Sequence, residues 1–154
     1  MKSIQIGDRI PGFALRNQED KEVYIDPDKG TAKIIYFYPR NNTRYCTEQA
    51  CTFRDWKDLL SEKGFELIGI SRDSPGSHQK FRARHHLNFT LLSDPGSKIR
   101  RLFCGSYLFG IIPSRRTFVV NEKGVVEFVY KGLFQGMEHV QGVLKWIENN
   151  KKDD

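Results

Sequence analysis

Two cysteines five positions apart, Cys46 and Cys51, have the clearest chemical potential in this chain. They follow the run Tyr36-Phe37-Tyr38-Pro39-Arg40-Asn41-Asn42-Thr43-Arg44-Tyr45, which reads as an aromatic strand end, a Pro-initiated loop and a helix entry. Cys46 therefore falls where a strand hands over to a helix. The unpaired backbone N–H groups and the positive dipole end at such a place favour an anion. A thiolate is such an anion, and it is the nucleophilic form of cysteine. The third cysteine, Cys104, reads as a small buried hydrophobe, or as a thiol for an alternative or intermolecular bridge. An odd count does not make a closed disulfide framework, and it fits a reducing compartment. His78, His85, His86 and His139 show no His-x3-His spacing and the cysteines no Cys-x2-Cys, so zinc is disfavoured. Glu48 is close enough to Cys46 to complement the helix start, and Trp56 and Trp146 read as packing residues.

The elements that must position these groups follow from periodicity. Residues 13–16 and 22–25 form a short hairpin around the polar turn 17–21. Residues 33–38 are a continuous β-branched and aromatic run, as in a strand covered on both faces. Helical spacing covers 46–60, with Ala50, Phe53, Leu59 and Leu60 facing inward and Gly64 as the stop. A strand at 66–71, a helix at 77–86, a strand at 89–92, a turn at 93–96 and a helix at 98–103 come next. A Gly-containing loop then runs from Ser106 to Pro113. Residues 117–120 and 125–130 flank Asn121-Glu122-Lys123-Gly124, a hairpin signal, and an amphipathic helix spans 137–149. This order predicts an α/β fold, a mixed sheet with helices on both faces, in a single domain over residues 1–154.

With 154 residues, 38% hydrophobic and 29% charged, the chain can bury a substantial core. Residues 1–8 lack the long apolar core of a secretory signal and alternate like an edge strand. No stretch approaches the length of a membrane span. The reading is a cytoplasmic protein, with an organellar mature form left open. The net charge of +6 raises nucleic acid as a partner. The basic residues alternate with apolar ones, and acidic residues separate their clusters, so a solvated surface is preferred and no nucleic acid is expected.

With these residues in place, the chain resembles the peroxiredoxins, specifically the Q or bacterioferritin-comigratory-protein type. The likeness runs from Ile6-Gly7-Asp8 through Phe37-Tyr38-Pro39, Cys46-Thr47-Glu48-Gln49-Ala50-Cys51 and Leu91-Leu92-Ser93-Asp94 to Pro113-Ser114-Arg115-Arg116-Thr117-Phe118. The family's Pro, Thr and Cys signature is met by Pro39, Thr43 and Cys46. The resemblance implies a thioredoxin-like fold with an N-terminal β-hairpin, and a peroxidase needing no cofactor or metal. It implies Cys46 as the peroxidatic cysteine, Cys51 as the resolving one, Thr43 holding the peroxide, Pro39 shielding the thiolate and Arg115 as the fixed charge. It further implies hydroperoxide substrates, thioredoxin or a similar dithiol as reductant, and a monomer acting in antioxidant defence and redox homeostasis. A thiol–disulfide oxidoreductase would instead want Cys-x-x-Cys, and a redox-regulated holdase is the non-enzymatic rival.

Three details bear on those expectations. In an intact helix, Cys46 and Cys51 are separated by a rise of about 7.5 Å and point about 140° apart. A disulfide needs Cα atoms within about 7 Å, so unwinding around residues 44–54 is expected in each cycle. Arg44-Tyr45 stands where relatives carry Pro-Gly, which could add charge beside Cys46 or narrow the entrance. Asp20 holds a hairpin-turn position where Gly is usual, and strand alternation should turn Arg116 away from the face of Arg115.

Overall fold

The computed structural model describes residues 3–105, 115–132 and 136–150. Its elements are β1 (Phe13–Asn17), β2 (Glu22–Ile25), β3 (Ala32–Phe37), α1 (Arg44–Glu62), β4 (Phe65–Ser71), α2 (Pro75–Arg84) and β5 (Thr90–Ser93). A 3-10 turn at Pro95–Ser97 leads into α3 (Lys98–Cys104), then come β6 (Arg116–Val120), β7 (Val126–Lys131) and α4 (Gly136–Asn150). The expected loop from Ser106 to Pro113 lies outside the described residues. Among the described residues, no helix is long and apolar enough to cross a membrane.

The strands form one mixed sheet in the order β2-β1-β5-β4-β3-β6-β7. β3 and β4, and β4 and β5, run parallel, while β1–β2, β1–β5, β3–β6 and β6–β7 are antiparallel. Every residue of β3 is buried, as its unbroken apolar run requires in a strand covered on both sides. Ile34 and Tyr36 face a core shared with Phe53 of α1, Phe81 of α2 and Val140 of α4. Ile35 and Phe37 face the second core, with Ile99 and Phe103 of α3. Helices on both faces, and the hairpins β1–β2 and β6–β7, agree with the sequence reading.

Turn chemistry accounts for the element ends. The Asn121 side chain accepts from the amides of Lys123 and Val125, and Gly124 takes φ +80°. Asn17 plays the same part in the first hairpin, where Asp20 adopts the left-handed φ of 58° that a glycine would take without strain.

Three expectations are corrected. Residues 3–12 form no strand: Gln5 and Asp8 close a turn, with the Gln5 amide on the Asp8 carboxylate and the Asp8 amide on the Gln5 carbonyl. The turn leaves Ile6 63% exposed, and contact with the sheet is an isolated Arg9–Val125 bridge, with the Gly7 amide donating to the Val126 carbonyl at 2.8 Å. Trp56 is 43% exposed on the outer face of α1 rather than packed, whereas Trp146 stacks on Phe128 with ring centroids 6.0 Å apart. Leu59 is only half-buried, because the inward stripe of α1 is carried by Cys46, Gln49, Ala50, Phe53 and Leu60.

Candidate active site

The loop between β3 and α1 is built on a buried polar network. Tyr38, next after β3, donates its hydroxyl to Asn41 Oδ1 at 2.6 Å. The Asn41 amide reaches Asp73 Oδ2 at 2.8 Å, and its side-chain nitrogen lies 3.0 Å from His78 Nδ1. His78 Nε2 faces the Leu92 carbonyl at 3.0 Å, so that nitrogen is the donor and Nδ1 accepts from Asn41. Burial pushes the His78 pKa down, against an opposing pull from Asp73, which keeps the ring in this neutral form. The loop is thereby held to α2 at its start, and Pro39 is half-buried within it.

Thr43 is the N-cap of α1 but makes no side-chain cap bond. Its hydroxyl instead donates to the Arg40 carbonyl at 3.0 Å. The Oγ1 lone pairs remain to accept a hydrogen bond from a ligand. Cys46 is the third residue of the helix and only 1% exposed. No acidic residue occupies the first turn, so the positive helix end beside the sulfur is not offset there.

Arg115, immediately before β6, completes the arrangement from 69 residues away. Its Nη2 donates to Cys46 Sγ at 3.2 Å, and its Nη1 donates to Gln49 Oε1. Arg115 is 3% exposed, so a permanent charge with fixed forked donors faces a buried sulfur. Gln49 was not singled out by the sequence reading. The available signal was a polar residue on the inward stripe of a helix, three positions after Cys46. His139 was missed too: it is fully buried behind Arg115, and burial lowers its pKa to about 4, with the Arg115 charge adding to the shift. Tyr36 and Tyr38 stay protonated, since burial raises both and the nearby Cys46 adds to it.

The structure thus brings Cys46, Arg115, Gln49 and the Thr43–Arg40 turn to one end of α1. Cys51 lies half-buried on the same helix and is not bonded to Cys46. Arg44 turns away to pair with Glu48 at 3.4 Å and stacks over Tyr45, so its charge is engaged on the helix surface rather than on the sulfur. Glu48 is taken up in that pair. Cys104 is buried in the core on the other sheet face, and Arg116 sits in β6 one residue out of phase with Arg115. No metal-binding cluster exists among the described residues. A cavity of about 260 Å³ beside Pro39 and Arg40, bounded by Arg72 and Arg100, does not include Cys46 in its lining.

Chemically, the site offers a sulfur nucleophile and donors fixed around it. Negative charge growing on an atom next to sulfur would meet groups already oriented for it, which lowers a barrier rather than merely binding a ligand.

Comparison with known proteins shows the family. Residues 6–129 match the model of the AhpC/TSA family. The chain is 44% identical over 140 residues to the chloroplastic peroxiredoxin Q of Triticum aestivum, covering 90% of this chain and 64% of that protein. It is 42% identical to the chloroplastic peroxiredoxin Q of Sedum lineare, covering 94% of this chain and 78% of that one. The chain spans about two thirds of the length of most of these curated relatives, for example 68% of the Populus jackii protein. Among solved structures, the peroxidoxin BcpB of Mycobacterium tuberculosis is similar with a TM-score of 0.87 and 27% identity, over 97% of this chain and 99% of that one. The bacterioferritin comigratory protein of Xanthomonas campestris has a TM-score of 0.81 and 25% identity, over 91% and 92%.

Proposed function

The chain belongs to the AhpC/TSA family as a peroxiredoxin of the Q type with the thioredoxin-like fold, and on that premise we propose that it is a thiol peroxidase acting through Cys46. The observation that carries the reading is the 3.2 Å contact from Arg115 Nη2 to the buried Cys46 Sγ. The Cys46 thiolate attacks the distal oxygen of a hydroperoxide, and the O–O bond breaks. Sulfur loses two electrons and becomes a sulfenic acid, while the other oxygen leaves as an alcohol or water once protonated. Arg115, held by Gln49, stabilises the charge that grows on the departing oxygen, and Thr43 Oγ1 accepts a hydrogen bond from the peroxide O–H, whose proton stays on the oxygen transferred to sulfur. Pro39 helps to keep bulk water from the sulfur.

Cys51 then attacks the sulfenic sulfur and water leaves, giving an intramolecular disulfide that a dithiol such as thioredoxin reduces by exchange. Substrates are hydrogen peroxide and organic hydroperoxides. The Xanthomonas relative is described by its alkyl peroxide reduction activity, which favours including the latter. The chain acts as a monomer in redox homeostasis. The relatives named chloroplastic favour an organellar address over the cytoplasmic one inferred from the sequence.

The test is hydrogen peroxide consumption coupled to thioredoxin. Wild type should turn over, and Cys46→Ser should be no faster than background. Cys51→Ser should accumulate sulfenic acid on Cys46 and stall unless small thiols are added. Equal rates for wild type and Cys46→Ser would end the peroxidase reading.

A further inference from the structure

Behind Arg115 lies a buried imidazole that the reaction steps above do not use. His139, on the first turns of α4, is fully buried. Its Nε2 lies 2.9 Å from the carbonyl of Gly132, next after β7, and a carbonyl only accepts, so Nε2 carries the proton. Its Nδ1 lies 2.9 Å from Thr117 Oγ1 in β6. Thr117 follows Arg115 by two residues and so faces the same side of the sheet. Gly132 in turn donates its amide to the Arg115 carbonyl at 3.3 Å. Tyr130 packs edge-on against the ring with centroids 4.7 Å apart, and a Cβ on Gly132 would stand 3.2 Å from Nε2. The ring is fixed on every side named, and through two bonds it reaches the backbone that carries the guanidinium.

We infer that His139 is a positioning residue for peroxide reduction: it ties Thr117 to Gly132 and thereby holds the Arg115 guanidinium on the Cys46 sulfur. Two features of the site call for a histidine here. The position needs a donor towards Gly132 and an acceptor towards Thr117 on one rigid ring, which no apolar residue supplies. It also needs to be uncharged beside Arg115, and burial together with the arginine's own charge keeps it so. The inference rests on the reading of Cys46 as the peroxidatic residue. It assigns His139 no contact with substrate.

The experiment separates the two chemical steps. Reduced wild type, His139→Leu, His139→Gln and Thr117→Val are mixed with hydrogen peroxide. Sulfenic acid formation on Cys46 and the later disulfide formation are followed by quenching and mass spectrometry. Misplacing a charge by a fraction of a bond length slows the peroxide-dependent step, by about tenfold to a hundredfold in His139→Leu and Thr117→Val. The peroxide-independent step should be unslowed or quickened, because the unwinding that lets Cys51 attack must break the Arg115 bonds to Cys46 and Gln49. Gln places an amide nitrogen near Nε2 and should restore most of the loss. Peroxide-step rates within twofold of wild type in both Leu and Val variants overturn the inference. So does a loss in both steps that Gln does not rescue, since that marks a merely structural role. If His139→Leu does not fold, Thr117→Val, equal in shape to Thr, decides alone. Failure of the underlying reading looks different: wild-type Cys46 itself would then form no sulfenic acid.

Discussion

Oxidising the reduced protein with one equivalent of hydrogen peroxide should unwind the start of α1 and leave its remainder intact. Cys46 and Cys51 stand within one continuous helix of 19 residues. Their separation of about 7.5 Å along the axis and about 140° around it cannot accommodate a disulfide. Closing the bond therefore requires residues 44–51 to leave the helix, about two turns. That opening breaks the Arg115 bonds to Cys46 and Gln49 and withdraws Ala50 from the core. Just beyond lies a firm anchor. Phe53 is fully buried and stacks on Tyr36 with centroids 4.8 Å apart. Arg54 Nη1 donates to the His85 carbonyl at 2.7 Å, and Asn88 donates to the Arg54 carbonyl. Unwinding is thus expected to stop before Phe53, a tighter limit than the residue-54 boundary drawn from spacing alone. Hydrogen exchange by mass spectrometry, reduced against oxidised, should show lost protection at the amides of 47–55, whose acceptors lie in 43–51, and unchanged protection at 57–62. A Cys46–Cys51 disulfide proven by peptide mapping with exchange at 47–55 unaltered would refute the reasoning. Loss of protection through residue 62 would refute the anchor.

Arg115→Gln should slow Cys46 oxidation by about 10²–10³, the usual cost of removing a charge-stabilising donor, measured by competition against a second peroxidase. Acid should weaken the fold through His139. The native state, with its pKa near 4, refuses a proton that the unfolded chain accepts below about 6.5. The stabilisation is therefore complete above that pH and is lost as pH falls towards 4, by about 2 kcal/mol between pH 7 and pH 5. His78 shifts in the same direction and adds to the loss. Urea unfolding at the two pH values should show a smaller drop for His139→Gln than for wild type, and equal drops would contradict it. Gly136→Ala should destabilise by about 1–3 kcal/mol as an overpacking change. Its Cβ would meet the Tyr45 carbonyl and stand 2.6 Å from Gln49 Cβ, so α4 must back away from the first turns of α1. Denaturant unfolding measures the loss, and a neutral result would show that the two helices can part cheaply.

The sequence was most legible where one residue's neighbours in the chain are also its neighbours in space. The apolar run of β3 and the Asn121–Gly124 turn carry their own geometry, and both lie where periodicity and turn chemistry place them. At the start of the chain alternation points to a strand, whereas the Gln5 and Asp8 amides close a local turn and Gly7 and Asp8 reach Val126. Trp56 was misread because an aromatic residue on an amphipathic helix usually packs, and here the inward stripe runs past it. Cys46 was legible from the strand-to-helix handover. Its contact with Arg115 followed from resemblance alone, since nothing in local spacing joins residues 69 apart. Gln49 and His139 escaped because their importance lies in what they hold. A buried polar side chain has no signature until its partners, Arg115, Thr117 and Gly132, are seen around it.

The long span between the sulfur and its arginine has a further consequence during synthesis. A growing chain exposes position 46 well before position 115 has been translated, and β6, β7 and α4 must still dock after that. Until they do, the sulfur lacks the guanidinium that faces it in the folded protein. On the proposed reading, sensitivity to peroxide is then acquired only at the last step of maturation, so a nascent polypeptide passes through an oxidising episode with this centre not yet assembled.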